Sequence, residues 1–219
     1  MKYFRLLLLP IFLLTFSCEN RETIKENEQL KTQVNELKSM MSRMRQSDDK
    51  LMLLASKLSG VKARIKTNYG NIELKFFPET APIQCFNFIS RAESGYYDGT
   101  QFHRVIKGFM IQGGDPNSKT ADKESYGKGG PLVMVPHEFS EISHKRGILS
   151  TARNPNINLG AGSQFFIIHQ DYPSLDKKYT VFGEVTKGMD VVDKIATTKT
   201  NERDYPLNPV NVSTIEIYR

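Results

Sequence analysis

Phe102-His103-Arg104-Val105-Ile106-Lys107-Gly108-Phe109-Met110-Ile111-Gln112-Gly113-Gly114-Asp115 holds two short apolar runs, Phe102 to Ile106 and Phe109 to Ile111, parted by Lys107-Gly108 and closed by Gly113-Gly114. Runs this short with glycine at their ends read as strands rather than helices. The pattern recurs further along the chain, at Gly147 to Thr151, Phe165 to Ile168, Val181 to Val185 and Val210 to Ile217, with Gly, Pro, Asn and Asp between most of the runs.

Upstream, Ala63, Ile65 and Thr67 alternate with Lys62, Arg64 and Lys66, the period of a half-buried strand. Tyr69-Gly70-Asn71 supplies a turn and Ile72, Leu74 and Phe76 alternate again, which predicts a hairpin. Thr80 and Pro82 mark a helix start, with Ile83, Phe86 and Ile89 on one face and Cys85 among them as a small buried hydrophobe. A second short helix spans Gly188 to Ala196, with Met189, Val192 and Ile195 on one side. Many short strands and two helices imply a mainly β domain, a closed antiparallel barrel or a sandwich, because the helices are too few for a βαβ repeat.

Residues 19–59 contain neither Gly nor Pro and are rich in Lys, Glu, Gln, Leu and Met, which predicts a long helix stopped by Gly60. Leu30, Leu37, Met44, Leu51 and Leu58 fall at heptad position d, with Asn27, Val34, Met41, Asp48 and Ala55 at a. The d positions are complete, the a positions are mixed, and the e and g positions lack opposite charges. Two readings stay open: a homodimer through residues 24–58, or a lone spacer helix of roughly 50 to 60 Å.

The N-terminus, Met1-Lys2-Tyr3-Phe4-Arg5 followed by the apolar run Leu6 to Phe16, reads as an export signal. A membrane span needs on the order of 20 apolar residues, more than this run provides. Cys18 directly after it resembles the lipidated cysteine of bacterial lipoproteins, although Thr15 stands where that pattern has an aliphatic residue. The expected organisation is a signal at 1–17, a lipid-anchored helical or coiled-coil spacer at 18–60 and a folded domain at 61–219. It places the mature protein in the cell envelope, facing the periplasm or exposed at the surface, and held to the membrane through its acyl chains.

The net charge of +6 raises nucleic acid as a partner, but residues 61–219 carry 20 Lys+Arg against 17 Asp+Glu. No run of five basic residues and no interleaving of basic with aromatic residues occurs, so no nucleic-acid partner is expected. Two cysteines cannot build a disulfide framework. The four histidines lack paired-ligand spacing, so neither metal nor cofactor is expected. Gly160-Ala161-Gly162-Ser163-Gln164 is not a nucleophile elbow, and Gly127-Lys128-Gly129-Gly130-Pro131 lacks the ending of a phosphate-binding loop.

The stretch 102–115 resembles the signature of the cyclophilin family of peptidyl-prolyl cis/trans isomerases. Gly147-Ile148-Leu149-Ser150, Gly162-Ser163-Gln164-Phe165-Phe166-Ile167, and Leu175-Asp176 leading to Val181-Phe182-Gly183 follow it in the family's order, so the resemblance covers residues 61–219. It implies an eight-stranded antiparallel barrel capped by two helices. It also implies isomerisation of X-Pro bonds in unfolded or flexible proline-containing polypeptides, here during the folding of cell-envelope proteins.

An amide resists rotation by ~18 to 20 kcal/mol, and the twisted state localises a lone pair on the prolyl nitrogen. A catalyst therefore needs a fixed donor at that nitrogen and an apolar seat for the ring, and no proton or covalent bond has to move. The resemblance gives the donor role to Arg104, whose planar charged fork suits it. It gives the proline pocket to Phe109, Met110, Phe166 and Leu175, a hydrogen bond to both the arginine and the substrate to Gln112, and the edge that pairs with residues before proline to Ala152 and Arg153. Gln164 falls at a further groove position, and Tyr179 stands where the family often has His. Ser174 replaces a large aromatic, which implies an open pocket wall and puts cyclosporin-type inhibitors in doubt. Asn117 to Lys128 forms a polar loop longer than a compact member requires. The competing reading is a non-catalytic peptide-binding module or holdase that uses the same groove.

Overall fold

The computed structural model describes residues 46–219 continuously, together with 28–32, 34, 35 and 38, all eight of which are helical. The export signal 1–17, Cys18, and heptad positions Asn27, Leu37, Met41 and Met44 lie outside the described residues. Among the described residues no helix is long and apolar enough to cross a membrane.

Leu51–Arg219 forms one unit. It begins with helical residues 51–58, and Ser59 with left-handed Gly60 (φ 74°) ends them. Leu58 is buried in the domain core, Leu54 packs against it, and Ala55 is 3% exposed. Leu58 is therefore buried within its own unit and is not free for the dimer seam read through residues 24–58. Apolar surface that is already buried gives no further hydrophobic gain on pairing.

Eight strands follow: β1 Lys62–Thr67, β2 Gly70–Phe76, β3 Arg104–Ile106, β4 Met110–Gly113, β5 Ile148–Arg153, β6 Ala161–Ile168, β7 Val181–Lys187 and β8 Val212–Tyr218. Helix α1 is Pro82–Glu93 and helix α2 is Met189–Ala196. The strands form one antiparallel sheet in the order β3-β4-β6-β5-β7-β2-β1-β8. It curls until the residues ahead of β3 meet the start of β8, where Phe102 N donates to Val210 O and Val212 N to Thr100 O, at 2.9 and 2.8 Å. Helix α1 covers the core beside β6, β7 and β8, and α2 covers it beside β2, β3 and β4.

The hairpin registers Ala63 with Leu74 and Ile65 with Ile72, all four fully buried. Its turn differs from the one read in the sequence. Gly70 and Asn71 belong to β2, opposite Thr67 and Lys66, and the reversal is made by Asn68-Tyr69. The Thr67 hydroxyl closes it, accepting from Tyr69 N and donating to Gly70 O. The face of α1 also differs. Cys85, Phe88, Ile89 and Ala92 are buried while Phe86 is 51% exposed, because the helix packs on its i, i+3, i+4, i+7 stripe rather than on the Ile83–Phe86 line. Ala81 gives α1 no side-chain cap; instead the Glu138 carboxylate accepts from Ile83 N and Gln84 N at 3.1 and 2.8 Å.

Candidate functional site

Successive strand residues face opposite sides of a sheet, and β4 and β6 use both sides. Ile111, Phe165 and Ile167 point into the main core, where Phe165 meets Phe88 edge-on at 5.2 Å. Their neighbours Met110, Phe166 and Ile168 belong to a second apolar cluster with Ile148 and Val181, against which Phe109, Ala152, Leu175 and Tyr179 pack. A cavity of about 210 Å³ opens on this second cluster.

Of the ten groove residues read from the resemblance, the cavity gathers nine: Arg104, Phe109, Met110, Gln112, Ala152, Arg153, Phe166, Leu175 and Tyr179. Pairing explains the convergence. Arg104 lies opposite Gln112 on β3–β4, Gln112 opposite Phe166 on β4–β6, and Phe166 opposite Ser150 on β5. The tenth residue, Gln164, lines an adjoining cavity of about 270 Å³ that shares Gln112, Ala152 and Arg153 with the first.

The polar rim departs from expectation in one respect. Among the described residues no hydrogen bond joins Gln112 to Arg104. Gln112 Nε2 donates to Gln164 Oε1 at 2.9 Å, and Gln164 Nε2 donates to Gly129 O and Gly127 O at 2.7 and 3.1 Å. The loop carbonyls thus orient Gln164, and Gln164 in turn engages the Gln112 amide. The Arg104 guanidinium instead has a carboxylate neighbour, with Nε 3.5 Å from Asp204 Oδ2. Arg153 is held over the Tyr179 ring at 4.7 Å, with Nε donating to Lys178 O.

Ser174 does not line the cavity; its carbonyl accepts from Lys178 Nζ. Two residues earlier, Tyr172 packs its ring on Phe109 at 4.3 Å. The turn that carries Phe109 is held from the other side, where Gly108 N donates to His169 Nδ1 and His169 N donates to Phe109 O. Sequence reading gave Tyr172 and His169 no part in the groove, since an aromatic or a histidine outside a motif carries no signal of its own.

Fully buried His144 completes the second cluster. Its Nδ1 lies 2.9 Å from Asp176 Oδ1 and its Nε2 lies 3.1 Å from Ser150 Oγ, while the Ser143 hydroxyl and His144 N also donate to Asp176. Burial pushes the imidazole below its ordinary value, and the Asp176 contact opposes that shift. The connectivity is that of a hydrolytic triad, but Ser150 is 0% exposed and its hydroxyl donates to Thr180 O, so no substrate carbonyl reaches it. The chain of bonds fixes side chains beneath the groove. Asp176 stood next to Leu175 in the matched motif; nothing in the sequence paired it with His144.

The cavity lining contains no Ser, Cys, His, Asp or Glu. It offers an apolar floor and permanently charged or amide donors on its rim. Such a site can seat an apolar ring and stabilise developing charge on a neighbouring atom, without general acid–base or nucleophilic chemistry from those residue types.

Residues 62–217 match the family model described as cyclophilin type peptidyl-prolyl cis-trans isomerase/CLD. The chain is 43% identical over 161 residues to peptidyl-prolyl cis-trans isomerase-like 3 of Gallus gallus, covering 70% of this chain and 94% of that protein. It is 42% identical, with the same coverage, to the Homo sapiens protein of that name. Among solved structures it is similar to a cyclophilin type peptidyl-prolyl cis-trans isomerase of Cryptosporidium parvum crystallised in the presence of the dipeptide Ala-Pro. The TM-score is 0.66 at 34% identity, covering 72% of this chain and 99% of that one.

Proposed function

The chain belongs to the cyclophilin-type peptidyl-prolyl cis-trans isomerase family and is an isomerase of X-Pro bonds, and from that premise we propose which of its residues do the work. The proline ring sits on Met110 and Phe166, walled by Phe109 and Leu175. Arg104 donates from the rim to the prolyl nitrogen as the amide twists. Gln112, Gln164, Ala152 and Arg153 hold the backbone on either side, and Tyr179 walls the end beside Arg153.

The twisted amide has a more basic nitrogen and a smaller amide dipole than either planar form, so a fixed guanidinium donor binds it best, which lowers the barrier. The observation that carries this reading is the lining itself: an apolar floor with a guanidinium on its rim and no Ser, Cys, His, Asp or Glu. The test is cis-to-trans isomerisation of an Ala-Pro peptide by the wild type and by Arg104→Ala. A loss of about a hundredfold in kcat/KM at unchanged thermal stability is expected. Equal activity in the variant removes Arg104 from the mechanism.

We further propose that the enzyme acts in the cell envelope on proteins folding there, exported by residues 1–17, lipidated on Cys18 and carried on the spacer 18–60. The basic and apolar N-terminus followed by Cys18 supports this reading. Incorporation of labelled fatty acid and partition into a detergent phase, both lost in Cys18→Ser, are the expected results. A wild-type protein that takes up no label and stays in the aqueous phase overturns it. Pairing of two chains through residues 24–58 is the accompanying proposal, with buried Leu58 outside the seam, and sedimentation at micromolar concentration reads the oligomer directly.

A further inference from the structure

Asp204 is one of two non-glycine residues among those described with positive φ, at 63°. Asp tolerates this left-handed region better than most residues, yet it is sparsely populated and a residue held there is over-determined by its surroundings. The surroundings are identifiable. Asp204 N donates to Asn201 O, Asn201 N to Tyr205 O, and the Asn201 carboxamide accepts from Arg203 N and Tyr205 N. Asp204 O then accepts from Val105 N at 2.9 Å, which docks the turn on β3 directly beside Arg104.

The long polar loop braces this turn from outside. Glu124 pairs with Arg203 at 2.6 Å, and Tyr126 packs on Tyr205 at 5.6 Å, so the residues on both sides of Asp204 are tied to loop 117–128. The loop is in turn fixed at its base by fully buried Asp115, which accepts from Asn117 N and Gly127 N.

From this geometry we infer that Asp204 is a positioning residue for Arg104: it meets the guanidinium at Nε and turns both terminal amino groups toward the substrate, with loop 117–128 as its brace. The inference rests on the reading of Arg104 as the catalytic donor. An ion pair with both side chains 41% exposed adds little to stability, so its effect is on orientation.

Three variants test it in the full chain: Asp204→Asn, which keeps the shape and tolerates the same backbone; Asp204→Gly, which relieves the backbone; and Arg104→Ala, alone and combined with Asp204→Asn. Each Asp204 variant is expected to lower kcat about threefold to tenfold with KM within about twofold and melting temperature unchanged. In the Arg104→Ala background Asp204→Asn is expected to cause no further loss. Wild-type kcat in both Asp204 variants overturns the inference, as does an undiminished loss in the Arg104→Ala background. Full activity of Arg104→Ala alone overturns the underlying reading instead, so the two failures are told apart.

Discussion

The His144 imidazole lies against the Phe166 ring, nearly parallel to it at 19° with centroids 6.2 Å apart, and Tyr179 meets both rings edge-on. One buried histidine thus backs two residues of the cavity, and its own orientation is set by Asp176 and Ser150.

This arrangement makes stability sensitive to mild acid. Burial holds the folded imidazole below its ordinary 6.5, so between its folded value and 6.5 the unfolded chain binds more protons. Stability from this site is complete above about pH 6.5 and is lost as pH falls through that window. Asp176 adds a second loss at lower pH: burial pushes its carboxyl up, but the bonds from Ser143 and His144 outweigh that and hold it below 3.8. Urea midpoints of the wild type should fall between pH 7 and pH 5 more steeply than those of His144→Gln. Because burial pushes His103 and His137 down as well, the difference between the two proteins isolates His144. Parallel curves would remove His144 from the acid response.

Tyr172→Ala strips the ring that packs on Phe109 while leaving the cavity lining untouched. A pair of this kind contributes about 0.5 to 1.5 kcal/mol, so KM for an Ala-Pro peptide should rise about twofold to tenfold with kcat nearly constant. An unchanged KM would show that Phe109 stands without it.

Glu138→Ala removes the acceptor of two N–H groups at the start of α1, where Ala81 offers none. The expected cost is about 0.5 to 2 kcal/mol, read from urea unfolding. Glu138→Gln, which keeps an acceptor, should recover part of it. A loss in Glu138→Gln as large as that in Glu138→Ala would point to lost packing or charge and not to the cap.

Cys85 is 0% exposed and burial pushes its thiol up to about 12, with the thiol facing Phe182 O at 3.3 Å. In a Cys18→Ser background a disulfide reagent at pH 8 should therefore label the folded protein only as fast as it opens, and label it immediately in urea. Rapid labelling of the folded state would contradict the packing of α1.

Most of the strands and the second helix were legible because local patterns specify them: alternation in Ala63–Ile65 and Ile72–Phe76, short bounded runs elsewhere, and Met189, Val192 and Ile195 at helical spacing; the run Phe165–Ile168 marks only the second half of β6, whose start at Ala161-Gly162-Ser163 carries no apolar run. The buried face of α1 was misread because Phe86 is as apolar as Phe88, and only the position of the sheet decides which of them it covers. Nine of the ten groove residues read from the family resemblance line one cavity, and β-pairing across β3, β4, β6 and β5 is what brings those of them on strands together.

What the sequence by itself determined is where the strands and the two helices of residues 62–218 fall, to within a few residues, and which family the chain belongs to, since periodicity and motif spacing are local properties of the chain. Only the tertiary structure decided who touches whom at and beneath the groove: Gln112 with Gln164, Arg104 with Asp204, Tyr172 with Phe109, and His144 with Asp176. Side-chain hydrogen bonds and ring contacts depend on distances of a few ångströms between segments far apart in the chain, and those distances exist only once the sheet has curled and its loops have closed over it.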